Sequence, residues 1–131
     1  MTTYLDMSDL IDCARSFLGT TPQVRDAGLL TAALARPQAV AYGAEVYPNF
    51  HEKAAALLIS LATSRGLTTG NERLALVATE WFLQLNERYL TLSDDEFVDV
   101  IRGIADGSLT DVEKVAEILE SNSEPLRPAT S

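Results

Sequence analysis

The chain has one cysteine, one histidine and one tryptophan in 131 residues. A single cysteine, Cys13, cannot close an internal disulfide, which fits a reducing compartment. One Cys and one His exclude a four-ligand zinc site, so no metal centre is expected. Cys13 lies in an apolar helical pattern without a basic neighbour to favour the thiolate, and it reads as core rather than nucleophile. Basic residues are scarce: ten Lys and Arg against nineteen Asp and Glu give a formal net charge of −9. No basic run offsets that charge, which argues against a nucleic-acid partner. Long apolar runs are missing too. The longest uncharged apolar stretch, residues 54–62, is far too short to cross a bilayer. No basic start followed by an apolar run marks a leader, so a cytoplasmic, soluble protein is expected. No alternating run is long enough for a substantial sheet, and no repeat or low-complexity tract is present.

What is present is helical periodicity. Hydrophobic residues make up 47% of the chain, enough for one real core. Leu10, Ile11, Ala14, Phe17 and Leu18 predict a first helix, capped by Asp6 or Ser8 and ended by Gly19. Leu29, Leu30, Ala33 and Leu34 predict a second, from about Asp26 to the break at Pro37. Residues 38–48 read as a short helix plus a loop, of the kind that serves as a lid or substrate flap. A third helix is capped by Asn49, with Glu52 placed to complete a capping box. It is apolar most of the way round, as a central helix is. A fourth starts near Asn71 and carries Leu74, Val77, Ala78, Trp81, Phe82 and Leu85. Ser93-Asp94-Asp95-Glu96 and Thr110-Asp111-Val112-Glu113 read as capping boxes of two more helices. The expectation is an all-α bundle of about six helices around two central antiparallel ones. One domain over residues 1–120 would be followed by a flexible tail over 121–131.

The loop between the two central helices is Ser64-Arg65-Gly66-Leu67-Thr68-Thr69-Gly70-Asn71. It runs into Glu72-Arg73 at a helix start, where free backbone N–H groups and a basic side chain suit a phosphate. Alone, this quartet is a weak signal. A Gly turn, an Asn cap and a solvated Arg explain it equally. His51 lies in the first turn of the third helix, roughly 20 Å from this loop by the rise per residue of a helix. It reads as a surface or helix-cap histidine. The acidic pairs Asp94-Asp95 and Asp111/Glu113 fall at helix starts, where the dipole favours them.

Three further segments widen the view. Val24-Arg25-Asp26-Ala27-Gly28-Leu29-Leu30, continuing through Ala35-Arg36-Pro37-Gln38, resembles the Doc branch of the Fic/Doc family. Tyr47-Pro48 followed by Glu52-Lys53-Ala54-Ala55-Ala56-Leu57-Leu58 is similar to the same branch, as is Phe82-Leu83-x-Leu85-Asn86. The likeness runs from about Tyr4 to Leu119. It implies a small helical domain of the toxin–antitoxin kind. Members of this family transfer a phosphate or nucleotidyl group to a protein hydroxyl, and the Doc branch acts on a translation elongation factor. An antitoxin docks a short segment onto such a toxin.

The family's loop has the pattern His-x-Phe-x-Asp/Glu-Gly/Ala-Asn-x-Arg, with a Lys usual before the Arg in the Doc branch. The His is the general base, the acid holds Mg²⁺ on the nucleotide, and the Asn-x-Arg helix start holds phosphates. Aligned without gaps, Arg65 stands at the His, Leu67 at the Phe, Thr69 at the acid and Glu72 at the Lys. Gly70, Asn71 and Arg73 match. An arginine stays protonated and cannot be a base, and a Thr hydroxyl is a poor Mg²⁺ ligand. The resemblance therefore implies an anion site of Gly70, Asn71, Arg73 and Arg65, with ATP and Mg²⁺ as cofactors only if the altered loop still works. Three readings follow. One is a Doc-like protein that lost transfer and binds an antitoxin-like peptide or a protein target. Another is an altered transferase acting on an anionic or phosphate-bearing substrate through Arg65 and Arg73. The third is a purely structural helical module with a filled pocket. Oligomeric state has no sequence signature here.

Overall fold

The computed structural model describes residues 1–126. It is a mainly α fold of six helices: α1 (Met7–Leu18), α2 (Ala27–Ala35), α3 (Phe50–Ser64), α4 (Asn71–Leu85), α5 (Asp94–Ala105) and α6 (Val112–Ser121). Each start has a local cause. Asp6 caps α1 in a reciprocal box with Asp9, Asp26 caps α2, and Ser93 caps α5 in the expected box with Glu96. Two expected boxes take simpler forms. The Asn49 side chain accepts from the N–H groups of His51 and Glu52, and the first turn of α6 is capped by Asp111 rather than Thr110.

The helix α3 is the hub. Ten of its fifteen residues are buried, and it touches α2, α4, α5 and α6. Its run of alanines at 54–56 lets neighbours approach closely, while Leu57, Leu58 and Leu61 fill the spaces between them. A fully buried Leu contributes about 1.5–3 kcal/mol, so this one segment anchors the core. α4 turns back from α3 and buries Leu74, Ala75, Leu76, Ala78, Phe82 and Leu83. Leu85, expected inside, is half exposed, and so is Leu18 at the end of α1. Both are the last residues of their helices.

Two short sheets interrupt the helices. After α2 and a 3₁₀ turn at Arg36–Gln38, the expected short helix and loop is instead a hairpin. Its strands are β1 (Val40–Ala41) and β2 (Ala44–Glu45), joined through Tyr42 and Gly43, both with positive φ. The second sheet pairs β3 (Arg88–Leu90) antiparallel with β4 (Ser123–Pro125). The expected tail therefore differs in its first part: α6 runs through Ser121, and β4 is part of the fold. Residues 127–131 lie outside the described residues. Among the described residues, no helix is long and apolar enough to cross a membrane.

Candidate functional site

The loop from Arg65 to Gly70 is held by its backbone. Arg65 ends α3 in the left-handed region (φ 54°, ψ 48°), turning the chain out of the helix. The residues just before α2 grip the turn. The Arg25 and Asp26 N–H groups donate to the Gly66 carbonyl at 2.8 and 3.0 Å, and the Thr68 N–H donates to the Gln23 carbonyl at 3.0 Å. The Arg25 guanidinium donates to the Arg65 carbonyl through Nε (2.9 Å) and Nη2 (2.6 Å). This places a cation on the carbonyl end of α3, where the helix dipole is negative. Gly66 leaves no room for a side chain: a Cβ would come within 2.6 Å of the Leu30 side chain.

Leu67 drops into the core, and Asn71 locks it there. The Asn71 Oδ1 accepts from the Leu67 N–H at 2.9 Å, and its Nδ2 donates to the Leu67 carbonyl at 2.9 Å. The amide expected to cap α4, or to hold an anion, is thus committed to the loop. The cap position belongs to Gly70 (φ 84°), which supplies no side chain. What Asn71 offers an anion is its place in the first turn of α4, whose N–H groups have no partner within the helix.

This frame surrounds an open cleft of about 510 Å³ lined by Arg65, Thr68, Thr69, Gly70, Asn71, Glu72 and Arg73. The residues expected at an anion site are therefore gathered around one space. Arg65, Thr68, Thr69, Glu72 and Arg73 are all exposed. The ion pairs among the described residues are Arg15–Asp12, His51–Glu120 and Lys53–Glu45, so neither Arg65 nor Arg73 is neutralised by Glu72 or Glu52 within 4 Å. Glu72 is the one carboxylate lining the cleft.

A smaller cavity of about 170 Å³ adjoins it, sharing Glu72 and Arg73 and walled by Leu76, Val98 and Ile101. Glu80, two turns along α4 from Arg73, is part-buried. Burial pushes its carboxyl above the usual range, Asp94 adds to that, and Arg73 pulls it back. Sequence reading missed both Glu80 and the bracing role of Arg25. The former is visible only once α5 is placed beside α4. The latter had a trace in the Val24-Arg25-Asp26 segment but no assigned partner.

Residues 4–83 match the Fic/DOC family, a stretch that includes the whole loop and cleft. The chain belongs to the Fic/DOC family. The Toxin Doc of Mycolicibacterium smegmatis (strain ATCC 700084 / mc(2)155) is 49% identical to it over 86 residues, or 66% of each chain. That alignment spans just under two thirds of the relative's length.

Two other titratable residues of this Fic/DOC chain sit apart from the cleft. Cys13 is buried, and burial, with Asp9 and Asp12 adding, pushes its thiol up to about 12. It stays protonated and unreactive at ordinary pH. His51, expected as a surface or helix-cap histidine, lies in the capped first turn of α3, at the opposite end from Arg65, but is only 5% exposed. Its burial comes from α6 and β4, which return to this end from far along the chain.

A second surface lies on the α2 side. An apolar groove of about 590 Å³ runs between α2, the β1–β2 hairpin and α3, lined among others by Leu29, Ala32, Ala35, Val40 and Thr63. It reaches Ser64, next to Arg65 of the loop. Val40, Tyr42 and Val46 of the hairpin segment expose their side chains. The hairpin is anchored by Lys53, buried on α3, whose Nζ meets Glu45 Oε1 at 2.7 Å. Burial lowers the Lys53 pKa, but hydrogen bonds and charge from Glu45 and Tyr4 outweigh it and hold the ammonium above its usual value.

Proposed function

We propose that this chain is a Doc-like toxin–antitoxin family protein that acts by binding a protein partner, with phosphoryl and nucleotidyl transfer lost. The observation that carries this is the chemistry of the cleft. Its lining holds two arginines, two threonines and one carboxylate, and no histidine. Arg65 occupies the position that the family resemblance gives to the general base. The one histidine of the chain is buried at the far end of α3. Thr69 stands where the family resemblance puts the metal-holding acid, and a hydroxyl is a poor Mg²⁺ ligand; the cleft's one carboxylate, Glu72, stands at the position of the family's Lys. A site of this composition can hold an anion but lacks the histidine and the acid at the positions to which the family resemblance gives proton transfer and metal binding.

Partner binding is supported by the groove and the hairpin. A surface that exposes Val40, Tyr42 and Val46 beside an apolar groove suits a peptide or protein face. The name of the mycobacterial relative favours an antitoxin-like peptide as that partner, with a target protein as the other candidate. No nucleic acid or membrane enters this reading.

The second reading, an altered transferase for an anionic substrate, draws on one observation: Arg65 and Arg73 line an open cleft and form no ion pair with a described residue. The third, a module with a closed loop, is weakened by the same open space. Calorimetry and thermal shift with ATP, ADP, CMP and inorganic phosphate, each with and without Mg²⁺, separate the first two. The expected result is no Mg²⁺-dependent nucleotide binding. Tight Mg²⁺–ATP binding would overturn the loss of transfer, and an activity abolished by Arg73→Ala would move the assignment to the second reading.

A further inference from the structure

The left-handed turn that ends α3 falls on an arginine. Arg65 has φ 54° and ψ 48°, a region that strains a residue with a Cβ and where glycine usually serves. A glycine is next in the chain, yet Gly66 does not take the positive φ. It is buried, and it is needed where the chain passes the Leu30 side chain. The strain therefore rests on the residue whose long cationic side chain lines the cleft. Arg73 lines the same cleft from the first turn of α4.

What holds Arg65 in that state comes from another part of the chain. The Arg65 carbonyl accepts two bonds from one guanidinium, Arg25 Nε at 2.9 Å and Nη2 at 2.6 Å. Nη2 also lies 3.5 Å from the Ser64 carbonyl. The direction of the Arg65 carbonyl is set by its own ψ, so a fork fixed on that oxygen fixes the torsion. The backbone bonds of the same segment act on other groups: the Arg25 and Asp26 N–H groups on the Gly66 carbonyl, and the Thr68 N–H on the Gln23 carbonyl. Arg25 is carried next to the turn by the bridge between Val24 and Leu67, and it forms no ion pair among the described residues. It is not part of the cleft wall. Its donors are committed to carbonyls. A lysine, with a point charge in place of a planar fork, could not make the same pair of bonds.

On the reading that the cleft holds an anion, we propose that Arg25 is a positioning residue for it. By clamping the Arg65 carbonyl, Arg25 keeps Arg65 left-handed and its side chain over the cleft with Arg73, without touching the anion itself. Released from that clamp, Arg65 relaxes to the right-handed region that L-residues favour, and its side chain leaves the cleft.

The test is calorimetric titration of inorganic phosphate, at low ionic strength, into the unmodified chain, Arg25→Ala, Arg25→Lys, Arg65→Ala and the double variant. Arg25→Ala is expected to weaken binding about tenfold, the size of one charged hydrogen bond withdrawn from the anion. Arg25→Lys, which keeps the charge and loses the fork, weakens it as well. In the Arg65→Ala background the Arg25 substitution has no further effect, because the side chain it positions is gone. Undiminished binding in Arg25→Ala or in Arg25→Lys overturns the proposal, the second because charge alone then suffices. An equal loss with and without Arg65 also overturns it, since a general effect of charge or folding does not depend on Arg65. Should Arg25→Ala not fold, Arg25→Lys takes its place in the cycle. If the unmodified chain binds no phosphate, the anion reading fails, and the clamp is judged separately by NMR on the Arg65 backbone. Chemical shifts and HN–Hα coupling that move to helical values in Arg25→Lys support it, and an Arg65 that stays left-handed overturns it.

Discussion

The two ends of α3 are built on opposite plans. At the C-terminal end, the backbone from Arg65 to Thr68 is held by residues 23–26, and Asn71 holds Leu67, while the side chains of Arg65 and Thr69 are left exposed. At the N-terminal end, side chains are themselves the fastening: Asn49 caps, His51 joins α6 to β4, and Lys53 secures the hairpin. A joint commits its polar groups to each other. A binding surface keeps its frame rigid and leaves its polar groups for a ligand. One helix carries both because its two ends meet different neighbours.

The comparison can be broken most severely at Asn71. Asn71→Ala leaves the buried Leu67 N–H and C=O without partners and is expected to cost about 3 kcal/mol. A denaturant midpoint close to that of the unmodified chain would mean that Leu67 is held by packing alone. Gly66→Ala comes next. Its Cβ presses on Leu30, with the Asp26 carbonyl at 3.3 Å behind it. Overpacking of this kind costs about 1–3 kcal/mol, measurable by thermal melting, and Leu30→Ala in the same chain should recover part of it.

At the other end the probe is pH. The folded His51 pKa lies below its ordinary 6.5, so the ring's contribution is complete above that value. It is lost as pH falls through 6.5 toward the lower folded value. Urea midpoints should decline over that interval in the unmodified chain and decline less in His51→Gln. Smallest in stability, and most telling about the site, is Arg73→Ala. An exposed arginine without an ion pair should change stability by within about 0.5 kcal/mol, yet calorimetric binding of inorganic phosphate should weaken. Equal phosphate binding by both proteins would remove Arg73 from the anion site.

Much of this was legible beforehand where the signal is local. Helix starts at Asp6, Asp26, Asn49 and Ser93 follow from short polar side chains just ahead of apolar periodicity. The Gly70–Arg73 opening of α4 was placed correctly for the same reason. Misreadings cluster where distant segments meet. β4 falls inside the expected tail because a three-residue strand has no period of its own. The place of His51 in the capped turn is legible, but its burial is not, because nothing in residues 49–53 announces α6 and β4. Asn71 reads as an anion-site or cap residue because the Asn signal does not distinguish reaching forward from its helix start from reaching back to Leu67.

The sequence by itself determined the helices, their order, the family and the residue types at the loop, since periodicity, caps and motif spacing act over a few residues. Only the tertiary structure decided which side chains are available. Arg65 and Arg73 face open space while His51, Lys53 and Asn71 do not, because burial and partnership depend on which remote segments pack against each site.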